Sequence, residues 1–393
     1  MEQRLGSRSF VLVVVSNFGV FASFGFLIYA LPLYTRDVLD ASDAGVGLAM
    51  GAASIGAILV GPPSGRLADR LGRRPVLLAG AVVMLVGYVV LALEPPFGVV
   101  VPLRIVAGAA EAAFVVAAFT MAVDLAPERR HGEATSLVTV GSYAGLALGP
   151  PVAAVVLGDD RFTLVWVVAA ALVGMSALLG TLVPETRHDH EEAQPGWLPP
   201  RRALMPGVVL FLALLGFGGF NAFVVLYARD IGVAHPAAVF VLFGAVVIAV
   251  RVFGRRLPDR LGSRLAASIA CAAVAIGFVI VAAWDSSAGL YLGTAVFACG
   301  QALAYPALVL LAMGRTAPSE RSAAVGATAA FVDVALAIGG LALGVVADAF
   351  DYRAVFVVGA ASALVGLALL QEVGRERVGA VEPAPNRNPS SGE

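Results

Sequence analysis

Two charged residues lie seven positions apart inside one long apolar stretch of the sequence, residues 98–121. In a helix, Arg104 and Glu111 fall on the same face, about two turns apart. A charge inside such a stretch costs a few kcal/mol unless it is paired or faces water, so both side chains are expected to face the protein interior. A carboxylate held between apolar surroundings and a cation can bind and release a proton. The alternative is a static ion pair that locks the surrounding helices.

Asp333 is the one acidic residue deep in an apolar stretch of the second half of the chain. It is the second candidate for proton coupling or for contact with a cationic substrate. The alternative is that its carboxylate ties the two halves of the molecule together. Arg251, at the end of an apolar stretch, is interpreted as a residue that marks topology, with its long side chain reaching towards the aqueous interface.

A set of uncharged polar side chains also falls within apolar stretches and is suited to line a cavity. Amides supply hydrogen bonds, and tyrosines supply an aromatic face together with a hydroxyl. For each of these residues the alternative role is hydrogen bonding between neighbouring helices. The predicted cavity set comprises Asn17, Tyr29, Tyr143, Asn221, Gln301 and Tyr305.

Composition indicates the elements that must hold these residues. The chain of 393 residues is 59% apolar and 13% charged, against about 25% charged in an ordinary soluble domain. Lipid must be part of its environment, and runs of about 20 apolar residues predict transmembrane helices, not barrel strands. The predicted spans are residues 9–33, 43–63, 75–93, 98–121, 134–157, 162–183, 205–228, 237–253, 265–283, 288–313, 323–347 and 353–371.

An internal repeat organises the twelve spans into two bundles. GRLADRLGRR at residues 65–74 is answered by RRLPDRLGSR at residues 255–264, and LYTRD at 33–37 by LYARD at 226–230. The predicted domains are a six-helix bundle at residues 1–186, a linker at 187–204, a second six-helix bundle at 205–371 and a disordered tail at 372–393. The fold class is therefore an all-α membrane protein built from two pseudo-symmetric halves.

Arginine distribution predicts the orientation in the membrane. All 26 basic residues are arginine; twenty fall on the side that holds both ends of the chain and four on the opposite side. Both termini are therefore expected in the cytoplasm, in a multi-pass protein of the cell membrane. The net charge of −1 gives no reason to expect nucleic acid binding. The two cysteines and four histidines show no ligand spacing, so neither a metal nor a cofactor is expected.

Three glycines spaced four apart and a proline lie in the fifth span: Gly141, Gly145, Gly149 and Pro150. Glycines at this spacing form a groove without side chains along one helix face, which lets a second helix approach to backbone contact. Proline removes one backbone donor and bends the helix. Close packing and a functional hinge both remain open for this motif.

These motifs resemble the major facilitator superfamily of secondary transporters over nearly the whole chain. GRLADRLGRR is similar to the cytoplasmic signature of that family between helices 2 and 3, and Arg104 with Gly108 resembles its element in helix 4. The glycine motif of the fifth span resembles that of proton-exchanging exporters, although Ala153 and Ala154 replace its final glycines. The resemblance implies twelve transmembrane helices and the drug:proton antiporter or sugar-efflux group.

The two basic clusters are predicted to form a cytoplasmic gate. Asp69 and Asp259 can pair with Arg73 and Arg264 or stabilise a helix N-terminus, and the resemblance implies that Asp69 stabilises the outward-facing state. The alternative is that the arginines merely set topology. The full predicted set is Gly65, Asp69, Arg70, Gly72, Arg73, Arg74, Asp259 and Arg264.

The sequence therefore predicts a secondary transporter that works by alternating access. The leading function is proton-coupled efflux of a small amphiphilic or drug-like compound, with the small-molecule substrate, protons and the lipid bilayer as partners of a monomer. The alternative is a transporter of a sugar, a metabolite or a metal chelator. An enzyme or a receptor is disfavoured, because no hydrolase, metalloprotease or phosphate-binding motif is found.

Overall fold

The computed structural model describes residues 5–186, 201–254, 260–316 and 321–379. Its first half contains six α-helices joined by short turns, with a π-helical turn at Tyr34–Val38 and a short 3₁₀ turn at Glu128–Arg130. These helices are α1 (Arg8–Leu33), α2 (Asp43–Leu71), α3 (Arg73–Ala92), α4 (Phe97–Asp124), α5 (His131–Leu157) and α6 (Phe162–Thr181).

Six further helices form the second half. They are α7 (Arg201–Asp230), α8 (Ala238–Phe253), α9 (Ser263–Ala283), α10 (Ser287–Met313), α11 (Arg321–Ala349) and α12 (Tyr352–Gly379). Eleven helices of the described chain are long and apolar enough to cross a membrane, and α8 is a shorter apolar helix of 16 residues. The predicted twelve-helix, all-α membrane fold is confirmed.

The two halves repeat one packing scheme. In the first half, α1 packs on α5 and α6, α4 on α2 and α3, and α3 on α6. The second half repeats these pairs as α7 on α11 and α12, α10 on α8 and α9, and α9 on α12. Across the interface between the halves, α2 packs mainly against α11, and α5 against α8. The halves are therefore pseudo-symmetric six-helix bundles.

Several element boundaries differ from the predicted ones. Helix α2 continues to Leu71 and α3 begins at Arg73, so most of the GRLADRLGRR segment is helical, not a loop. Helix α7 begins at Arg201, inside the predicted linker, and α12 continues to Gly379, inside the predicted tail. Polar residues extend a membrane helix into water, where hydropathy no longer marks its end. The predicted linker residues 187–200 and tail residues 380–393 lie outside the described chain.

Candidate substrate and coupling site

Five polar residues from both halves lie at nearly the same depth and are called the mid-helix layer: Glu111, Tyr143, Arg251, Tyr305 and Asp333. The distal end of the molecule is defined as the end opposite the start of α1. Measured along their helices at 1.5 Å per residue, all five lie about 20 to 27 Å from that end. The fold therefore brings residues that are far apart in sequence to one level of the interface.

Helix α4 carries Arg104 and Glu111 into a cleft between α1, α3 and α4. The cleft is otherwise mostly apolar, and Tyr88 and Ser23 add polar atoms to its wall. The Tyr88 hydroxyl donates a hydrogen bond to the Ser23 carbonyl at 2.9 Å. Arg104 is only 3% exposed. Arg104 and Glu111 thus both face the protein, as the sequence predicts.

Arg104 and Glu111 do not form a direct salt bridge. Among the described residues, no carboxylate oxygen lies within 4.0 Å of the Arg104 guanidinium, and its buried Nε has no hydrogen-bond partner. The two groups interact electrostatically over a longer distance. A static ion pair at contact distance is therefore not the arrangement seen, and the carboxyl of Glu111 is left without a permanent partner of opposite charge.

Close backbone contacts hold α4 in position. A Cβ atom added to Gly108 would overlap the backbone of Ala53, and one added to Gly56 would overlap the backbone at Ile105. Helices α2 and α4 therefore touch through their main chains one turn from Arg104. Since neither backbone can move away easily, the guanidinium is held by a rigid helix pair.

Asp333 joins the cluster from the second half. Its carboxylate, on α11, lies within electrostatic range of Glu111 and of Tyr305 on α10. The three candidates for proton coupling, Arg104, Glu111 and Asp333, are thus brought into one neighbourhood although they come from two bundles. This location at the interface fits both predicted roles of Asp333, which are proton coupling and contact between the two halves.

Arg251 reaches across the interface, a contact that its interpretation as a topology marker did not include. The guanidinium donates a hydrogen bond to the Tyr143 hydroxyl at 3.1 Å and lies 4.7 Å from the centre of the Tyr143 ring. Arg251 belongs to α8 of the second half, and Tyr143 to α5 of the first. Arg251 lies in the last turn of α8, and the sequence contains no signal for this contact.

The other predicted cavity residues separate into different environments. Asn17 is fully buried, and its amide donates hydrogen bonds to the Ser142 hydroxyl at 2.8 Å and the Val138 carbonyl at 3.3 Å, so it joins α1 to α5 and does not line a cavity. Tyr29 is buried within electrostatic range of Arg229. Two side-chain amides remain: Gln301 is buried with an unpartnered oxygen, and Asn221 is partly exposed.

Helix α1 occupies the glycine groove of α5. A Cβ atom added to Gly145 would lie 2.6 Å from the Phe18 carbonyl oxygen, and one added to Gly149 would meet the backbone of Ala22 and Gly25. Gly141 is less crowded, with Val14 at 3.4 Å. Helix α5 continues through Pro150, whose ring packs on Gly25.

The predicted gate motif is held by contacts within the first half. Arg73 is buried and lies 3.0 Å from Asp124, while Asp69 is 68% exposed and lies 3.6 Å from Arg73. Arg73 also donates to the Thr186 carbonyl at 2.8 Å. The predicted Asp69 to Arg73 pair exists, but Asp124 is the closer and less exposed partner.

Glu185, and not Asp69, stabilises the N-terminus of α3. Gly72 has a positive φ of 100° and separates α2 from α3, which leaves the first amide groups of α3 unpaired. The Glu185 carboxylate accepts hydrogen bonds from the Arg73 and Arg74 backbone amides at 2.9 and 3.1 Å. A Cβ at position 72 would lie 2.6 Å from this carboxylate.

The remaining gate residues have separate surroundings. Arg74 donates to the Thr181 carbonyl at 2.5 Å, and Arg264 to the Leu370 carbonyl at 2.7 Å. Gly65 and Arg70 lie on the last turns of α2. The predicted partner Asp259 lies outside the described residues.

The distal end holds a set of contacts between halves that sequence analysis missed. Arg229 forms a 2.7 Å ion pair with Asp37. The backbone amide of Asp43 donates to Asp348 at 3.1 Å, and the Tyr352 hydroxyl donates to the Asp43 carboxylate at 3.0 Å. The distal end is therefore closed by polar contacts that are not predictable until the facing helices are known.

Glycines bring α2 and α11 together beneath these polar contacts. Gly340 and Gly344 of α11 meet Gly47 and Gly51 of α2; a Cβ on Gly344 would lie 3.0 Å from the Gly47 Cα. Such close approach leaves no path for a solute between the two helices at this end.

Comparison with known proteins decides the family. A sequence model described as Major Facilitator Superfamily matches residues 13–316 and, in a second match, residues 207–391. The chain belongs to the Major Facilitator Superfamily. An uncharacterized MFS-type transporter of Salmonella typhimurium is 27% identical over 389 residues, covering 94% of this chain and 97% of that protein.

Solved structures of this superfamily share the fold. The nucleoside transporter NupG superposes with a TM-score of 0.80 at 15% identity, over 92% of this chain and 99% of its own. The human organic anion transporter MFSD10 gives a TM-score of 0.70 at 20% identity, over 93% of this chain and 99% of its own. The chain is thus a membrane transporter of small molecules.

Proposed function

We propose that this member of the superfamily is a proton-coupled secondary transporter that works by alternating access, with Glu111 as its main proton-binding group. The observation that carries the proposal is the position of Glu111, which lies within electrostatic range of Arg104 in its own half and of Asp333 in the other. A change in its charge therefore acts on both bundles at once.

The physical basis is the cost of charge in an apolar interface. Two carboxylates within electrostatic range of one another, Glu111 and Asp333, repel when both are ionised, and a proton on either removes that repulsion. Arg104 supplies the opposite charge without becoming a direct partner. Proton binding and release at this point would shift the balance between states that differ in how the two halves meet.

The leading function that we propose is efflux of a small amphiphilic or drug-like compound. The glycine groove of α5, which resembles the exporter motif, packs tightly on α1 and thereby supports this choice. The second candidate is transport of a metabolite, a sugar or a metal chelator. It is favoured by Arg251 in the mid-helix layer, and by the nucleoside and organic anion transporters among the similar structures.

The orientation and the gate belong to the same proposal. With the termini in the cytoplasm of a monomer in the plasma membrane, the closed distal end faces outwards. The cluster of Asp69, Arg73 and Asp124 then lies at the cytoplasmic end. In the opposite state, the exposed Asp69 would be available to contact the other half, as the family resemblance implies.

Proton movement in liposomes tests the proposal. Purified wild-type protein is reconstituted with a pH-sensitive dye inside, and a panel of amphiphiles, sugars, nucleosides and chelators is added. We expect a saturable pH change with at least one compound, which Glu111→Gln abolishes. Arg130→Gln, on the exposed start of α5, serves as the comparison variant that keeps proton coupling. Saturable transport without any pH change would refute the proton-coupled mechanism.

A further inference from the structure

Arg251 is a half-buried cation at the interface between the two halves, and it has no ion-pair partner among the described residues. Among the described residues, no carboxylate oxygen lies within 4.0 Å of its guanidinium, and the hydrogen bond that it donates goes to the neutral Tyr143 hydroxyl. Its Nε is buried and has no hydrogen-bond partner. A cation inside a membrane bundle costs several kcal/mol unless its charge is compensated. The guanidinium is therefore available to bind an anion directly, since no described carboxylate occupies it.

The location of Arg251 favours a ligand over a structural partner. It lies in the mid-helix layer, on α8 where that helix faces α5 of the other half. A Cβ on Gly244, two turns away on α8, would overlap Ala147 of α5, so the two helices touch on the distal side of the guanidinium. An anion bound at Arg251 would therefore contact both halves. It would lie on the side of the Gly244 contact that faces away from the distal end.

Tyr143 fixes the direction of the guanidinium. The ring lies against the cation, with 4.7 Å between the guanidinium carbon and the ring centre, and the hydroxyl accepts one of its hydrogen bonds. Arginine has five N–H donors in a planar fork that matches the two oxygens of a carboxylate or a phosphate. A guanidinium that is oriented before binding loses less conformational entropy when it binds an anion.

The internal repeat gives no structural reason for a cation at this place. The repeat relates position 251 to position 61 by the shift of 190 residues that relates 65–74 to 255–264, and position 61 is glycine. Tyr305 lies within electrostatic range of both Arg251 and Asp333, so the three residues belong to one region of the mid-helix layer.

We propose that Arg251, oriented by Tyr143, binds an anionic group of the transported compound, so that the substrate is an organic anion bearing a carboxylate or a phosphate. This inference rests on the proposed transport site in the mid-helix layer and names the charge of its cargo. It applies to both directions of transport.

Matched sets of compounds test the charge of the cargo. Each set shares one scaffold, aromatic, aliphatic or sugar-based, and bears a carboxylate, a carboxamide or an amine; phosphate esters are added where they exist. Thermal unfolding of the purified protein and tracer uptake into liposomes are measured for each compound. We expect carboxylates or phosphates to raise the unfolding temperature and to be transported at least tenfold faster than their amide and amine counterparts.

Variants identify the residue responsible. Arg251→Gln should remove the preference for anions, Arg251→Lys should retain part of it because the charge stays but the fork is lost, and Tyr143→Phe should weaken anion binding several-fold. Arg130→Gln is the matched control, since Arg130 pairs with Glu133 on the exposed start of α5. If Arg251→Gln does not fold, the lysine and phenylalanine variants still decide the question.

The outcomes separate this inference from the proposed function. Amines or amides that bind as well as the carboxylates, or the absence of any response to an anion, would overturn the inference. If such amines still drove proton movement dependent on Glu111, the proposed function would stand. If an anion bound through Arg251 but moved no protons, the anion site would stand and the coupling proposal would fail.

Discussion

The two halves of the molecule share a scaffold but not their chemistry. With a shift of 190 residues, Arg74 and its Thr181 carbonyl correspond to Arg264 and the Gln371 carbonyl, and both arginines make that hydrogen bond. A Cβ atom added to Gly80 would lie 2.6 Å from the Ala110 carbonyl oxygen. In the second half, a Cβ atom added to Gly300 would lie 2.7 Å from the Ala270 carbonyl oxygen. Helix packing and helix ends have thus been kept in both copies.

The helices α4 and α10 differ where that scaffold reaches the interface. With the same shift, Thr294 corresponds to Arg104 and Gln301 corresponds to Glu111, so the charged pair of one half is a neutral pair in the other. Thr294 and Gln301 are buried like Arg104, and each has an unpartnered oxygen. Since both copies pack alike, packing does not require the charges, which supports the proposed role of Arg104 and Glu111 in proton coupling.

Moving the carboxyl between halves gives the largest expected effect. Glu111→Gln should lower proton-driven transport by more than about a hundredfold, because glutamine keeps the size of the side chain but binds no proton. The double variant Glu111→Gln with Gln301→Glu should remain inactive, because Thr294, and no arginine, lies two turns away on the same face of α10. Uptake rates in liposomes under an imposed pH gradient provide the measurement. Recovery of activity in the double variant would show that the two halves are chemically equivalent.

Removal of Arg104 should have the next largest effect. Arg104→Ala should lower transport about tenfold or more and move the pH of half-maximal transport upwards, because no cation then favours the ionised form of Glu111. Arg104→Lys should keep most of the pH profile and lose part of the rate. The profile is measured on protein that elutes as a single folded species. An unchanged profile in the alanine variant would show that Arg104 and Glu111 are not coupled.

Asp69→Asn should produce an intermediate effect on turnover alone. The loss of one charge-assisted contact changes the balance between inward- and outward-facing states by about 1–3 kcal/mol. Substrate binding should stay within a few-fold of wild type, since Asp69 lies near the end of the molecule opposite the distal end, far from the mid-helix layer. Binding and initial transport rates are compared side by side. A wild-type rate would remove Asp69 from the gate.

The smallest effect is expected at the shared arginines. Arg74→Ala and Arg264→Ala each remove hydrogen bonds to helix-end carbonyls, and each should lower the free energy of unfolding by about 1–2 kcal/mol. Since the contact is repeated, the two losses should be similar, and proton coupling should persist in both variants. Denaturation in detergent measures the loss. A large difference between the two would indicate that only one copy serves the scaffold.

Sequence alone predicted what depends on local pattern. Twelve spans, the repeat, the inward direction of Arg104 and Glu111, and the close packing at glycines follow from hydropathy and spacing. The contacts of Arg251 with Tyr143 and of Asp43 with Tyr352 depend on which helices face one another across the halves, and periodicity does not encode that. The capping role of Glu185 was not predicted for a similar reason, because Gly72 exposes amide groups whose acceptor lies more than a hundred residues away.

The proposed role of Glu111 as the main proton-binding group is tested most directly by proton movement. Wild-type and Glu111→Gln proteins are reconstituted in parallel, and internal pH is followed while a transported compound is driven by its own gradient. We expect wild-type protein to move protons with the compound, whereas Glu111→Gln should move the compound with no change in pH. Equal proton movement in both proteins would contradict it and would direct attention to Asp333.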